Sequence, residues 1–301
     1  MRRYLSLIVL LTTSAVLCTL AVNIRADAVS SPSGKIRVNL RLEDGHPMYS
    51  IAVNRKVVIG ESCLGLVMAD GTDLSAGLKV IEVKRDSIES NWIQPWGQRR
   101  EVLDRHNELR FIYGKSGSDD PALILVFRVY DDGVGFRYEL PQNTGPDEFI
   151  VVDEKTEFAI TGDNRTWWIP AFENNRYEYL YTESAVSSLR SVHTPLTMVT
   201  REGIHLSIDE AALTDWASMT LKNVAGRILK CELVPWADGA KVKGKRPAVT
   251  PWRTVIISGD AAGLLTSTMI LNLNEPSRIE DTSWIEPGRY MKSRMAMMMR
   301  L

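Results

Sequence analysis

Hydrophobic residues recur at every second position along most of the chain. Ile36, Val38, Leu40 and Leu42 alternate with Lys35, Arg37, Asn39 and Arg41, which is the pattern of a strand with one buried face opening from the Ser33-Gly34 turn. The same reading predicts strands over 49–53, 56–59 and 64–68, the last ending at the turn Asp70-Gly71. The clearest hairpin covers 123–140. Leu123, Leu125, Phe127 and Val129 share one face, Asp132-Gly133 supplies the turn, and Val134, Phe136, Tyr138 and Leu140 return to Pro141. Glycine accepts the positive φ of such a turn without a Cβ clash. The acidic pair Asp131-Asp132 therefore reads as turn chemistry rather than as a catalytic pair. Further strands are expected over 149–152, 156–160, 197–200, 204–208, 228–234, 254–257 and 269–273, and residues 210–219 as a turn or two of helix. Many short strands separated by turn signals predict an all-β chain folded as a large two-sheet β-sandwich. No internal repeat or low-complexity linker divides it.

The N-terminus breaks this pattern. Arg2 and Arg3 precede an apolar run from Leu5 to Val22, and Ala26-Asp27-Ala28 follows. Cations, apolar run and small residues are the three parts of a secretory signal. Residues 1–28 are therefore expected to be a signal peptide cleaved after Ala28, with an uncleaved membrane anchor as the alternative. An exported protein, periplasmic or extracellular, follows, with no membrane contact after cleavage. Cleavage leaves Cys63 and Cys231; one bridge is possible in an oxidising compartment, but two buried free thiols fit their apolar neighbours. The 301 residues carry 36 Lys+Arg against 37 Asp+Glu, a net charge of −1. That balance offers no basic stripe for nucleic acid or an anionic membrane, and a neutral partner such as a sugar fits it.

Candidate chemistry is sparse. Eight tryptophans are many for this length, and Trp92, Trp96, Trp167, Trp168 and Trp252 sit beside turn residues, where an indole either packs or presents a platform for a pyranose. His46, His106, His193 and His205 have no nucleophile or metal-ligand partner in sequence and read as structural or surface residues. Glycoside hydrolysis needs two carboxyl groups flanking the scissile bond, and Glu173, Glu178, Glu183 and Glu210 lie in aromatic surroundings. Glu178 sits in Arg176-Tyr177-Glu178-Tyr179-Leu180-Tyr181, where tyrosines could wall a pocket; simple strand alternation explains the same residues.

The motifs Trp92-Ile93-Gln94-Pro95-Trp96-Gly97, His106-Asn107-Glu108-Leu109 and Asp132-Gly133-Val134-Gly135-Phe136-Arg137-Tyr138 closely resemble glycoside hydrolase family 97. So do Ser207-Ile208-Asp209-Glu210-Ala211-Ala212-Leu213, Thr250-Pro251-Trp252-Arg253, Leu271-Asn272-Leu273-Asn274-Glu275-Pro276 and Ser283-Trp284-Ile285-Glu286-Pro287-Gly288, in the family's order. The resemblance implies the N-terminal, galactose-mutarotase-like β-super-sandwich of an exported bacterial enzyme acting on α-glucosides or α-galactosides. It also implies that the catalytic residues belong to a (β/α)8 barrel, absent here. In calcium-dependent members the sandwich lends one glutamate to the metal site, in a Glu-Tyr segment after a Trp-Ile-Pro block. Trp168-Ile169-Pro170 then points to Glu178, with Glu210 as runner-up. Calcium accepts such a carboxylate in a flexible shell, but one glutamate would not hold the ion alone.

Two departures from the family stand out. Position 209 is aspartate where histidine is usual. After Tyr290 a Trp-Trp strand is replaced by residues 291–301, which hold 5 of the 11 methionines. The expected organisation is thus a signal peptide (1–28), a sandwich domain (29–290) and an aberrant tail (291–301) from truncation or a frameshift. The expected role is a carbohydrate-facing domain without hydrolase activity of its own, taking α-linked oligosaccharide together with the missing barrel. A stand-alone carbohydrate-binding module and a mutarotase-like enzyme are the alternatives.

Overall fold

The computed structural model describes residues 24–286 and 288, except 143, 144, 175 and 176. Most of the expected signal peptide and the whole tail 291–301 lie outside the described residues. The alternating segment at 36–42 becomes the strand Ile36–Glu43, with even positions buried and odd ones toward solvent. It joins Ile24–Ser30, His46–Val53 and Lys56–Cys63 in a four-stranded antiparallel meander. The cleavage point expected after Ala28 falls inside the first of these strands, whose register runs from Ile24 opposite Glu43 to Ser30 opposite Arg37.

A ten-stranded sheet forms the other layer. Its central strands are His205–Ala211, Trp252–Ser258, Gly133–Leu140 and Pro121–Tyr130. The 123–140 hairpin appears as read, with Phe127 opposite Phe136. One face of this sheet meets the meander: Tyr49 lies 5.7 Å from Phe127 and 5.0 Å from Phe136, ring to ring. Two smaller antiparallel sheets complete the opposing layer. One contains Glu157–Ala159, Ile228–Leu233, Met219–Ala225 and Ser191–His193; the other contains Val242–Lys245, Glu148–Glu154 and Leu66–Met68. An isolated bridge between Ile59 and Ile160 links the meander to the first of them. The chain is an all-β super-sandwich, and among the described residues there is no helical barrel.

Among the places where the structure departs from the sequence reading, three have a clear physical reason. Residues 269–273 are not a strand but a helix, α2 (Met269–Leu273), preceded by α1 (Ala261–Thr266). Met269 and Leu273 are buried, while Leu271 between them is exposed, so the spacing that matters is i, i+4. Residues 210–219 form no helix: the strand continues to Ala211, and Ala212 and Asp215 then take positive φ, which a right-handed helix cannot include. The third departure is a long hairpin of Leu78–Ile93 and Glu101–Lys115. Its first strand edges the ten-stranded sheet and is exposed at most positions, so it carries no alternation to read.

Both helices lie on the outer face of the large sheet. There Val126, Tyr130, Ala211, Trp252 and Ile256 form a second cluster with Met269 and Leu273. The glycines of the Gly133-Val134-Gly135 segment make room for this layer. A Cβ on Gly133 would stand 2.5 Å from the Val255 carbonyl and 2.9 Å from the Met269 sulfur; one on Gly135 would stand 2.7 Å from Leu273. Close approach decides Gly135, and at Gly133 it adds to the positive φ (158°) that the turn requires. Asn272 then ties α2 to the hairpin arm, accepting from Trp92 Nε1 (2.8 Å) and donating to the Leu103 carbonyl (2.9 Å).

Candidate functional site

Glu178 lies in the loop between the strands Arg165–Trp168 and Thr182–Ala185, which pair with each other at one edge of the ten-stranded sheet. The loop's first residues are fixed by backbone bonds: Ala171 N–H donates to the Ser191 carbonyl (3.0 Å) and His193 N–H to the Ile169 carbonyl (3.1 Å). Phe172 then turns the chain with φ 62°. Beyond it, the Tyr177 ring rests on the His193 imidazole, 4.0 Å between centroids. His193 is buried with neither ring nitrogen hydrogen-bonded, and burial lowers its pKa, so at neutral pH it is an uncharged support for Tyr177.

The tyrosines do not enclose Glu178. Tyr177, Glu178, Leu180 and Tyr181 are all exposed, Leu180 at 91%. The loop projects a carboxylate among apolar side chains into solvent, a surface suited to being covered. Glu173 is also exposed, and Glu183 faces Arg165 across the strand pair at 3.6 Å. Among the described residues no three histidine, cysteine, aspartate or glutamate side chains gather as a metal cage. Calcium takes six to eight oxygens, so Glu178 fits one ligand of a shell completed elsewhere and does not fit a self-contained site.

Glu210 is engaged internally. Its carboxylate receives Arg253 Nη1 at 2.7 Å and the Met219 N–H at 3.0 Å. Arg253 is fully buried and forks onto Glu154 through Nε (2.8 Å) and Nη2 (2.6 Å). Thr156 donates to Glu154 (2.9 Å), its hydroxyl lies 2.6 Å from that of Tyr138, and the Gly65 N–H donates to Tyr138 (3.0 Å). Burial alone would lower the Arg253 pKa, but the carboxylates raise it and keep the guanidinium charged. Burial raises Glu210, with Arg253 opposing. Glu210 is thus a core ion-pair partner, with both carboxylate oxygens engaged inside the sandwich. Asp209, pointing to the other side of the same strand, is raised by burial with a hydrogen bond from Thr194 opposing.

The remaining sequence candidates take structural places. Trp252 is buried, with the guanidinium groups of Arg128 (4.8 Å) and Arg137 (4.5 Å) over its ring, two cation–π contacts. Trp168 donates Nε1 to Ser184 (3.0 Å), and Arg165 covers Trp167 at 4.7 Å. Trp92 and Trp96 are exposed near the tip of the long hairpin. His106 is buried against Tyr130 and bonded to Asp104 (2.7 Å); His46 and His205 bond backbone carbonyls. Cys63 is half-buried beside Glu157 and Cys231 is buried close to Glu154 and Arg253, both as free thiols. Their surroundings are thus less apolar than their sequence neighbours imply. Sequence reasoning passed over Arg253–Glu154, whose partners lie 99 residues apart, and over Trp236, exposed after a Pro. That Pro-Trp turn was a local signal for the second.

Fold and site together define a large antiparallel sandwich domain with an exposed acidic loop at one sheet edge and no enclosed catalytic carboxylate pair described. Comparison with known proteins makes the class specific. Residues 29–276 match the family model described as "Glycosyl-hydrolase 97 N-terminal". A probable retaining alpha-galactosidase of Streptomyces bingchenggensis is 28% identical, over 86% of this chain and 40% of its own. The retaining alpha-galactosidase of Bacteroides thetaiotaomicron is 23% identical, over 91% of this chain and 45% of its own. A glycoside hydrolase family 97 enzyme from Pseudoalteromonas sp. strain K8, solved with panose and with acarbose, superposes with a TM-score of 0.84 at 39% identity, covering 87% of this chain and 40% of that one. The chain spans less than half the length of the relatives it matches. It belongs to glycoside hydrolase family 97, as the N-terminal domain.

Proposed function

We propose that this chain serves as the non-catalytic, carbohydrate-facing part of an exported α-glycosidase, lending Glu178 to a calcium site whose other ligands come from a catalytic barrel. The observation that carries the reading is the exposed Glu178 loop, where the described residues gather no metal cluster of their own, in a domain that matches the family over 29–276. Calcium, when bound, would supply positive charge to the reacting glycoside. This chain's own contribution is to fix one carboxylate: the strands Arg165–Trp168 and Thr182–Ala185 anchor the loop, and His193 supports its Tyr177. The substrate is an α-linked oligosaccharide, in keeping with the panose complex of the Pseudoalteromonas enzyme and the alpha-galactosidase relatives. Hydrolysis is assigned to the barrel, and residues 29–286 by themselves are expected to turn over no α-glycoside. Export follows from the Arg2-Arg3 and Leu5–Val22 pattern; cleavage after Ala28 would remove Ile24–Ala28 from a paired strand, and N-terminal sequencing of the exported product locates the cut.

A mutarotase would need a histidine and a glutamate converging on one sugar. The described histidines have other engagements: His46 and His205 bond backbone carbonyls, His106 bonds Asp104 and His193 packs under Tyr177.

The reading is tested by grafting residues 29–286 in place of the matching domain of the Pseudoalteromonas enzyme and assaying an α-glucoside across calcium concentrations. The graft is expected to be active, with Glu178→Gln raising the calcium needed for half-activity about tenfold or more, the scale of losing a coordinating contact. A folded graft indifferent to Glu178→Gln would overturn Glu178's role. Turnover of α-glucoside or α-galactoside by the ungrafted chain would overturn its inactivity.

A further inference from the structure

The strand Ile228–Leu233 ends in Val234-Pro235-Trp236-Ala237-Asp238-Gly239. Pro235 has no N–H to continue the ladder, and a tight loop follows instead. Trp236 N–H donates to the Ala240 carbonyl (2.8 Å), Gly239 N–H to the Trp236 carbonyl (2.9 Å), and the Ala240 N–H to the Asp238 carboxylate (3.1 Å). This bonded turn holds an indole in solvent: Trp236 is 62% exposed. Asp238 is paired with Lys243, whose ammonium lies 5.5 Å from the Trp236 ring centroid.

Lys243 also belongs to a neighbouring groove. It stands on the edge strand Val242–Lys245, opposite Ile150, with Lys245 opposite Glu148. A groove of about 580 Å³ opens there, lined by Met68, Asp70, Phe149, Ile150, Lys243 and Lys245 among others. That volume lies within the range of small-molecule sites. Gly244 shapes the floor, because a Cβ there would meet the Phe149 ring at 2.5 Å. Two ion pairs stand on the rim, Asp238 with Lys243 and Glu148 with Lys245, and the Asp70 carboxylate beside them accepts from the Thr72 N–H. The rim thus offers hydrogen-bond donors and acceptors without a strong field of one sign, which suits a neutral polyhydroxylated ligand better than a phosphate or a nucleic acid.

We propose that Trp236, Asp238 and Lys243, with the adjoining groove, form a second carbohydrate-binding site, separate from Glu178, that holds an α-linked oligosaccharide without cleaving it. The indole takes the C–H face of one pyranose, and the carboxylate and ammonium take its ring hydroxyls. The next sugar unit extends over Ile150 toward Glu148 and Lys245. Trp236 and Asp238 lie in the loop that joins Ile228–Leu233 of the four-stranded sheet to the edge strand Val242–Lys245 of the three-stranded one, whereas Glu178 follows a strand of the ten-stranded sheet. In choosing α-linked sugars it rests on the substrate reading above.

The test titrates the intact chain with maltotriose and, separately, with raffinose, following ligand signals by saturation-transfer NMR and heat by calorimetry. Saturable millimolar binding is expected for one of the two. Trp236→Ala should weaken it about tenfold, the scale of losing one aromatic stacking contact, and Lys243→Met should weaken it less, while Glu178→Gln leaves it unchanged. Absence of saturable binding in the wild type, or equal binding in Trp236→Ala, would overturn the proposal. Binding lost in Glu178→Gln but kept in Trp236→Ala would also overturn it, while leaving the role of Glu178 standing. A Trp236→Ala variant altered in oligomeric state but not in sugar binding would assign the patch to a protein contact and overturn the sugar site.

Discussion

The Arg253 guanidinium sits between Glu154 and Glu210 with no exposure to water. Removing it strands two carboxylates in the sandwich interior. Breaking a buried pair costs about 3–5 kcal/mol, so Arg253→Ala should lower Tm by roughly 10 °C for a domain this size, measured by calorimetry at neutral pH. Asp209 has the opposite character. Burial raises its pKa, so the fold disfavours its charged form above the ordinary carboxylate pKa and tolerates the protonated form. Asp209→Asn should therefore raise Tm at pH 7, and the gain should disappear as the pH falls below about 4. A gain that grows on acidification would refute this. Asp153 behaves in the third way: burial would raise it, but hydrogen bonds from Lys155 and Lys230 prevail and lower it. Its contribution is present above the unfolded carboxylate pKa and lost as pH falls through the folded value. Asp153→Asn should accordingly cost stability at pH 7, under about 1 kcal/mol for this half-exposed cluster, with the loss shrinking as pH falls below the ordinary carboxylate pKa.

At the scale of elements, α2 depends on a glycine in a strand it does not belong to. Gly135→Ala places a Cβ 2.7 Å from Leu273 Cδ1. Overpacking of this kind costs about 1–3 kcal/mol, and the strain should fall on the short helix rather than on the central strand. Faster amide exchange at 269–273, with protection at 133–140 preserved, is the expected outcome. Equal loss in both segments would show that the sheet itself gives way. The long hairpin is coupled to the same helix through Trp92 and Asn272, so Asn272→Ala should loosen its tip together with α2.

Across the whole molecule, large apolar side chains are exposed on projecting segments: Trp92, Ile93 and Trp96 on the hairpin arm, Leu180 and Tyr181 beside Glu178, and Trp284 near the end of the described chain. Exposed apolar side chains of this kind favour association. The chain by itself should self-associate in size-exclusion chromatography as concentration rises, and Leu180→Ser with Tyr181→Ser should reduce it. A concentration-independent monomer would contradict the expectation.

The strand reading succeeded where one face of a strand meets the core, as at 36–42 and 123–140, because burial on one side imposes a period of two. It failed at 78–93, where neither face is buried enough to leave a pattern, and at 269–273, where Met269, Leu271 and Leu273 alternate in sequence although only the first and last touch the sheet. The sequence by itself determined the all-β class, the family motifs and Glu178 as the acidic residue to examine. Tertiary structure alone decided that Glu210 turns inward to Arg253, that Gly133 and Gly135 admit a helix, and that Trp236 stands beside a groove. Those outcomes depend on which distant strands become neighbours, and pairings between residues about a hundred positions apart leave no trace in local periodicity.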